Sequence, residues 1–176
     1  MKSESRGGFR RLRYAKIPMK ERIASAGLVF LTGLVMLVIS ACGGGIFGVT
    51  GGELQPCPAS PNCVSSFAKD ERHAIAAIEI EGVPHAAWRA LEAELESRPH
   101  VEIVTRSEGY LHAVFTTKLM RYRDDVEFYL RPAAHEIALR STSRMGYGDM
   151  GANRDRIESI RAALVARGAA RPEAGD

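Results

Sequence analysis

Tyr122-Arg123-Asp124-Asp125-Val126-Glu127-Phe128-Tyr129-Leu130-Arg131 is followed, after Pro132-Ala133-Ala134, by His135-Glu136-Ile137-Ala138-Leu139-Arg140-Ser141-Thr142-Ser143-Arg144. Both runs alternate with the two-residue period of a β-strand. In the first, Val126, Phe128 and Leu130 fall on one side, and Asp125, Glu127 and Tyr129 on the other. In the second, Ile137 and Leu139 oppose Arg140, Thr142 and Arg144. The connection is short, so the pair reads as an antiparallel hairpin with one apolar and one charged face. In either plausible register Arg140 lies opposite Asp125 or Glu127, and Arg144 lies near Arg123 or the strand end. Such cross-strand ion pairs contribute about 0.2–1 kcal/mol each.

The flanking segments complete the fold class. Ala77–Glu81 reads as a short strand, and Pro84 suits the first turn of a helix. Trp88, Leu91 and Leu95 then recur as a core-facing stripe that Pro99 ends. Val101–Thr105 and Tyr110–Thr117 read as strands around a Ser107-Glu108-Gly109 turn. A last helix is expected from Asn153, a good N-cap, to about Gly168, with Ile157, Ile160 and Leu164 on one face. The order β-α-β-β-β-β-α implies an α+β domain, a mostly antiparallel sheet with two helices on one face. The helices are expected to cover the Phe128/Ile137 face and to leave the Arg/Asp face open.

The N-terminus gives an address. Residues 1–22 hold eight basic and two acidic side chains, and 23–41 hold no charge. Ile39-Ser40-Ala41-Cys42 then has the form of a bacterial lipoprotein cleavage site, with cutting before Cys42 and lipid on its thiol. The expected organisation is a signal over 1–41, a lipidated Cys42 with a Gly-rich flexible tether to residue 56, one domain over 57–170, and a frayed tail over 171–176. Translation starts at Met1 or Met19. An uncleaved transmembrane helix over 23–41 is the competing reading, and it leaves 43–176 on the same side of the membrane. Gly43 is not Asp, which favours export to the outer membrane. The expected location is the cell envelope, facing the periplasm or the exterior.

Removing the signal changes the charge. Of 24 basic and 21 acidic side chains, residues 42–176 keep 16 and 19, so the +3 of the whole chain becomes −3. No electrostatic case for nucleic acid remains. Two cysteines are left, Cys57 and Cys63, separated by a turn-forming Pro58-Ala59-Ser60-Pro61-Asn62. An even count in an oxidising compartment argues for a disulfide. A metal site with His73 or His85 lacks the paired ligand spacing of structural zinc. Neither a metal nor a cofactor is expected.

Gly146-Tyr147-Gly148-Asp149-Met150-Gly151 spells G-x-G-x-x-G, but no second parallel strand follows the helix, so a dinucleotide site is rejected. The glycines shape a strand-to-helix turn, or Arg154 and Arg156 flank an anion site at the helix start. Ser65 or Ser66 with His73 is a poor nucleophile–base pair, because no acid is in evidence to orient the histidine.

Three stretches together resemble a known family. They are Cys57-Pro58-x-Ser60-Pro61-Asn62-Cys63-Val64-Ser65-Ser66, Asp124-Asp125-Val126-Glu127-Phe128, and Arg140-Ser141-x-Ser143-Arg144-x-Gly146-x-x-Asp149-x-Gly151-x-Asn153-Arg154-x-Arg156-Ile157. The likeness, over about residues 56–168, is to domain-of-unknown-function family 1499, which brings no established activity. It implies that Asp124, Asp125, Glu127, Arg140, Arg144, Asp149, Asn153 and Arg156 form one polar cluster. No catalytic residue is assigned; Asp124, Asp125 and Glu127 are the candidates for general acid or base. Arg140, Arg144, Asp149, Asn153, Arg154 and Arg156 are the candidates for ligand binding. Three readings stay open: a lipid-anchored binding or envelope-maintenance module for an anionic group, a glycan, a lipid head group or an envelope protein; an envelope hydrolase; and a purely structural lipoprotein.

Overall fold

The structure is a computed structural model that describes residues 47–173. The signal, Cys42 and the first part of the tether lie outside the described residues. A small hairpin, β1 (Val49–Thr50) with β2 (Glu53–Leu54), comes first. Then follow β3 (Cys63–Ser65), β4 (Ile78–Glu79), α1 (Pro84–Ser97), β5 (Val101–Ser107), β6 (Tyr110–Thr116), β7 (Arg123–Arg131), β8 (Glu136–Ser143) and α2 (Ala152–Ala166). The main sheet runs β3-β8-β7-β6-β5, wholly antiparallel, and β4 shares the β8 edge with β3. From β4 onward the order is the expected β-α-β-β-β-β-α.

Local chemistry explains each boundary. Pro84 opens α1, where its missing N–H costs nothing. Gly109 turns β5 into β6 at φ +70. A 3₁₀ turn over Pro132–Ala134 and a left-handed His135 join β7 to β8. The register sets Glu127 opposite Arg140 and Phe128 opposite Leu139. Gly168 at φ +66 ends α2 in the left-handed conformation usual after a helix.

Both helices pack on the Val126/Phe128/Leu130 and Ile137/Leu139 face. Trp88, Leu91 and Leu95 of α1 and Ile157, Ile160 and Leu164 of α2 share one core with those residues, joined by Leu111, Ala113, Ile78 and Ile80. The tail is tied as far as it is described: the Arg171 backbone N–H donates to the Glu79 carbonyl, and Ala170 bridges Ile80.

Three expectations change. Residues 47–56 are not a free tether: Phe47 stacks on His112, Gly48 bonds to Glu127, and Leu54 is buried. The charged sheet face is therefore not open, and Asp125, Glu127 and Arg140 are buried under that segment and its neighbours. Finally, Asn153 is not the N-cap. α2 begins one residue earlier, after a left-handed Gly151, and Asn153 is wholly buried.

Candidate functional site

The expected single cluster is divided by the sheet. Successive strand residues point to opposite faces, so Asp124 and Asp125 cannot share one. On the face away from the helices, Asp125 accepts two hydrogen bonds from Arg144, Nε to Oδ2 at 2.7 Å and Nη2 to Oδ1 at 2.8 Å. His112 Nε2 lies 2.8 Å from the same Oδ1. Burial pushes the Asp125 carboxyl up, but Arg144 and His112 outweigh it and hold the group at about 2. The Arg144 guanidinium is in turn held protonated by this carboxylate. Phe47 lies on the His112 ring with centroids 4.3 Å apart.

One step along the same face, Arg140 Nη1 donates to Glu127 Oε2 at 2.8 Å. The other oxygen, Oε1, accepts from the Tyr110 hydroxyl at 2.8 Å and from the Gly48 backbone N–H at 2.7 Å. Burial, and then the neighbouring carboxylate, raise the Tyr110 phenol above the ordinary tyrosine value. Arg140 Nε is left as a buried nitrogen without a partner among the described residues.

The second network lies on the helix face. Asp124 pairs with Arg156, whose guanidinium also covers the Phe115 ring at 5.1 Å. Arg156 Nη1 donates to Asn153 Oδ1 at 2.6 Å and to Ser141 Oγ at 2.9 Å. Asn153 Nδ2 donates to the Asn62 carbonyl at 2.9 Å and to Asp149 Oδ2 at 2.7 Å. Asp149 caps the helix from outside it, accepting the backbone N–H groups of Asn153 at 2.9 Å and Gly151 at 3.1 Å. Burial raises the Asp149 carboxyl, but the N–H donors dominate and lower it.

This occupation disposes of the anion site. The α2 N-terminus already holds a carboxylate of its own chain. Arg156 is spent on Asp124, and Arg154 donates to the Ala74 carbonyl at 2.6 Å. Cys57 and Cys63 form the disulfide. It closes the loop that carries Asn62, whose Nδ2 donates to the Gly146 carbonyl at 2.7 Å. His73 Nδ1 bonds Asp70 and its Nε2 meets the Ser60 carbonyl, while Ser65 Oγ accepts the Phe67 N–H. Among the described residues no serine hydroxyl is paired with that histidine. Among the described residues, no group of three His, Cys, Asp or Glu could hold a metal ion.

One open cleft, of about 350 Å³, is lined by Leu54, Phe67, Lys69, Asp70 and His73. A cleft of about 470 Å³ sits at the end of the sheet, between the β6–β7 loop and the β8–α2 loop. Thr117, Tyr122, Met145 and Met150 wall it, and Asp124, Ser143 and Asp149 are among its polar lining.

Residues 53–164 match the family model described as Protein of unknown function (DUF1499). The chain belongs to this family. No curated protein and no solved structure matches it. The three stretches read from the DUF1499 sequence now have a spatial meaning. Asn62 from the first, Asp124 from the second, and Ser141, Asp149, Asn153 and Arg156 from the third meet in the helix-face network. The outer-face network draws on the same stretches through Asp125, Glu127, Arg140 and Arg144. It also recruits Tyr110, His112, Phe47 and Gly48, which no sequence pattern marked. For His112 a signal existed, since it alternates with Leu111 and Ala113 on the charged side of its strand. Asn62 was visible as a turn residue and as part of the first stretch, with nothing to mark its bonds to Gly146 and Asn153.

Proposed function

We propose that this DUF1499 chain is a lipid-anchored cell-envelope protein whose domain acts by binding and not by catalysis. The observation that carries the reading is a contrast within the domain. Asp124, Asp125 and Glu127 each meet an arginine, and Asp125 is held at about 2, far from the value a general acid or base needs at neutral pH. The paired networks support a scaffold, and the exposed apolar side chains of the loop end of the sheet support that end as the surface that meets a partner. The anchor rests on the charge-free 23–41 run and on Ile39-Ser40-Ala41-Cys42. Among the described residues no helix is long and apolar enough to cross a membrane.

The test is expression of the full chain in a bacterial host with radiolabelled palmitate. Label and membrane fractionation in the native chain, both lost in Cys42→Ala, are the expected result. An unlabelled native chain overturns the anchor. For the domain, Asp125→Asn should lower the melting temperature and impair any envelope phenotype in proportion. A phenotype lost at unchanged stability would return Asp125 to the list of catalytic groups.

A further inference from the structure

Six of the nine large apolar side chains that the described residues expose lie on the two loops at one end of the sheet. Leu119, Met120 and Tyr122 come from the β6–β7 loop, and Met145, Tyr147 and Met150 from the β8–α2 loop. Leu119 is 88 % exposed and Met150 fully so. Scattered exposed apolar residues are ordinary, but a contiguous patch marks a contact surface. Arg121 and Met150 are both held in the left-handed backbone region, at φ +57 and +54. That conformation is unfavourable for residues with a Cβ.

Charge names the partner. Lys118 and Arg121 interleave with the apolar residues of the first loop and are exposed, with Arg123, 3.7 Å from Glu102, beside them; Arg144, which opens the second loop, is committed to Asp125. Of the acids nearby, Asp124 is paired with Arg156 and Asp125 with Arg144, Glu102 lies 3.7 Å from Arg123, and Asp149 accepts the backbone N–H groups of the α2 N-terminus, which leaves Lys118 and Arg121 as the loop cations free for phosphates among the described residues. Apolar side chains interleaved with lysine and arginine are what the head-group region of an anionic bilayer accepts, with the long cations reaching back to the phosphates.

The chain's own path points the same way. Phe47 stacks on His112, His112 bonds Asp125, and Asp125 bonds Arg144 at the root of the second loop. The described chain thus enters on the sheet face at the level of Glu127, four residues of β7 from this end. Cys42 precedes Phe47 by five residues, at most about 18 Å of extended chain.

We propose that the Lys118–Arg123 and Arg144–Met150 loops dock into the head-group layer of an anionic bilayer, the same membrane that holds the anchor. This rests on the anchored reading above. Docking fixes the orientation of the domain: the apolar loops lie in the interface, and the β7–β8 turn and Val83 point away from it.

The test uses the full chain, purified in detergent and reconstituted into phosphatidylglycerol–phosphatidylethanolamine vesicles. Leu119→Cys, Met150→Cys and Val83→Cys each carry an environment-sensitive fluorophore, with circular dichroism confirming the fold. The labels at 119 and 150 should shift to the blue and be quenched by a lipid-borne spin label, and the label at 83 should do neither. Lys118→Glu with Arg121→Glu should lower the docked-to-undocked ratio about 5-fold or more for each charge, at about 1 kcal/mol per cation, as should high salt. Water-like emission at 119 and 150, or an equal shift at 83, overturns the proposal. Intact mass of the same preparation reads the lipid on Cys42 separately. A chain held in the vesicle by its uncleaved apolar run would fail that measurement while the fluorescence still reports on the loops.

Discussion

Arg144 grips Asp125 through both carboxylate oxygens, at 2.7 and 2.8 Å, while His112 approaches one of them from the neighbouring strand. The folded carboxyl is held at about 2 against an ordinary 3.8. The unfolded chain therefore takes up this proton first as pH falls. The contribution is fully present above about pH 4 and is lost as pH drops toward 2. Arg144 is partly exposed, so solvent screening trims the contribution to about 1–2 kcal/mol. Melting curves from pH 6 to 2 should show a stability loss that is smaller by that amount in Asp125→Asn. Equal acid sensitivity in the two proteins would rule this out.

Asp124 is buried and pairs with the largely buried Arg156, which ties the start of α2 to β7. Asp124→Ala leaves a largely buried guanidinium short of its counter-charge and should cost about 3 kcal/mol, the low end for a buried pair. Arg156→Lys should not restore the native value, because an ammonium cannot reach Asp124, Ser141 and Asn153 together. Chemical denaturation measures both. A loss below about 1 kcal/mol would show the pair to be dispensable.

Asn153 is wholly buried and joins β3, β8 and the β8–α2 loop. Asn153→Ala removes a donor from the Asn62 carbonyl and the acceptor of the Ser141 hydroxyl, which keep the Ser143 N–H and Arg156 as partners, so the cost should be about 1–2 kcal/mol. Hydrogen exchange should speed up in Cys63–Ser65 and at the start of α2 before it does in β5. Uniform acceleration across the sheet would contradict this linking role.

The Cys57–Cys63 bridge closes a short loop, so reduction should lower stability by about 2 kcal/mol on the chain-entropy view. The Asn62 bonds to Gly146 and Asn153 should loosen with it. Denaturation with and without reductant gives the first quantity, and the asparagine side-chain NMR signals follow the second.

Phe47 covers His112, and Gly48 donates to Glu127. Phe47→Ala should cost about 1 kcal/mol and free residues 47–56 from the sheet. Limited proteolysis should then cut ahead of Cys57 while leaving the sheet intact. Unchanged protection would mean that the Gly48 bond and Leu54 hold the segment without the ring.

Much of the fold was legible because its signals are local. Val126, Phe128 and Leu130 alternate with Asp125, Glu127 and Tyr129, and that pattern sorts side chains to two faces whatever the rest of the chain does. Trp88, Leu91 and Leu95 mark a helix in the same way. The site was legible only as a set of residues. Asp124 and Asp125 are adjacent in sequence, yet strand geometry sends them to different networks. Asn153 looked like a cap because asparagine favours that place; burial against Ser141 and Asn62 moved it inside the helix.

Sequence alone determined the element order from β4 onward, the two faces of the hairpin and the charge-free segment before Cys42, but not β1 to β3. These follow from periodicity and composition along a continuous stretch. Only the tertiary structure decided that the charged face is covered, that its carboxylates are spent on arginines, and that the exposed apolar residues gather at one end. Each of those depends on residues 13 to 91 positions apart, such as Arg140 on Glu127, Gly48 on Glu127 or Asn62 on Asn153. A polar side chain reads the same whether it faces water or a buried partner, so no local pattern could tell the two apart.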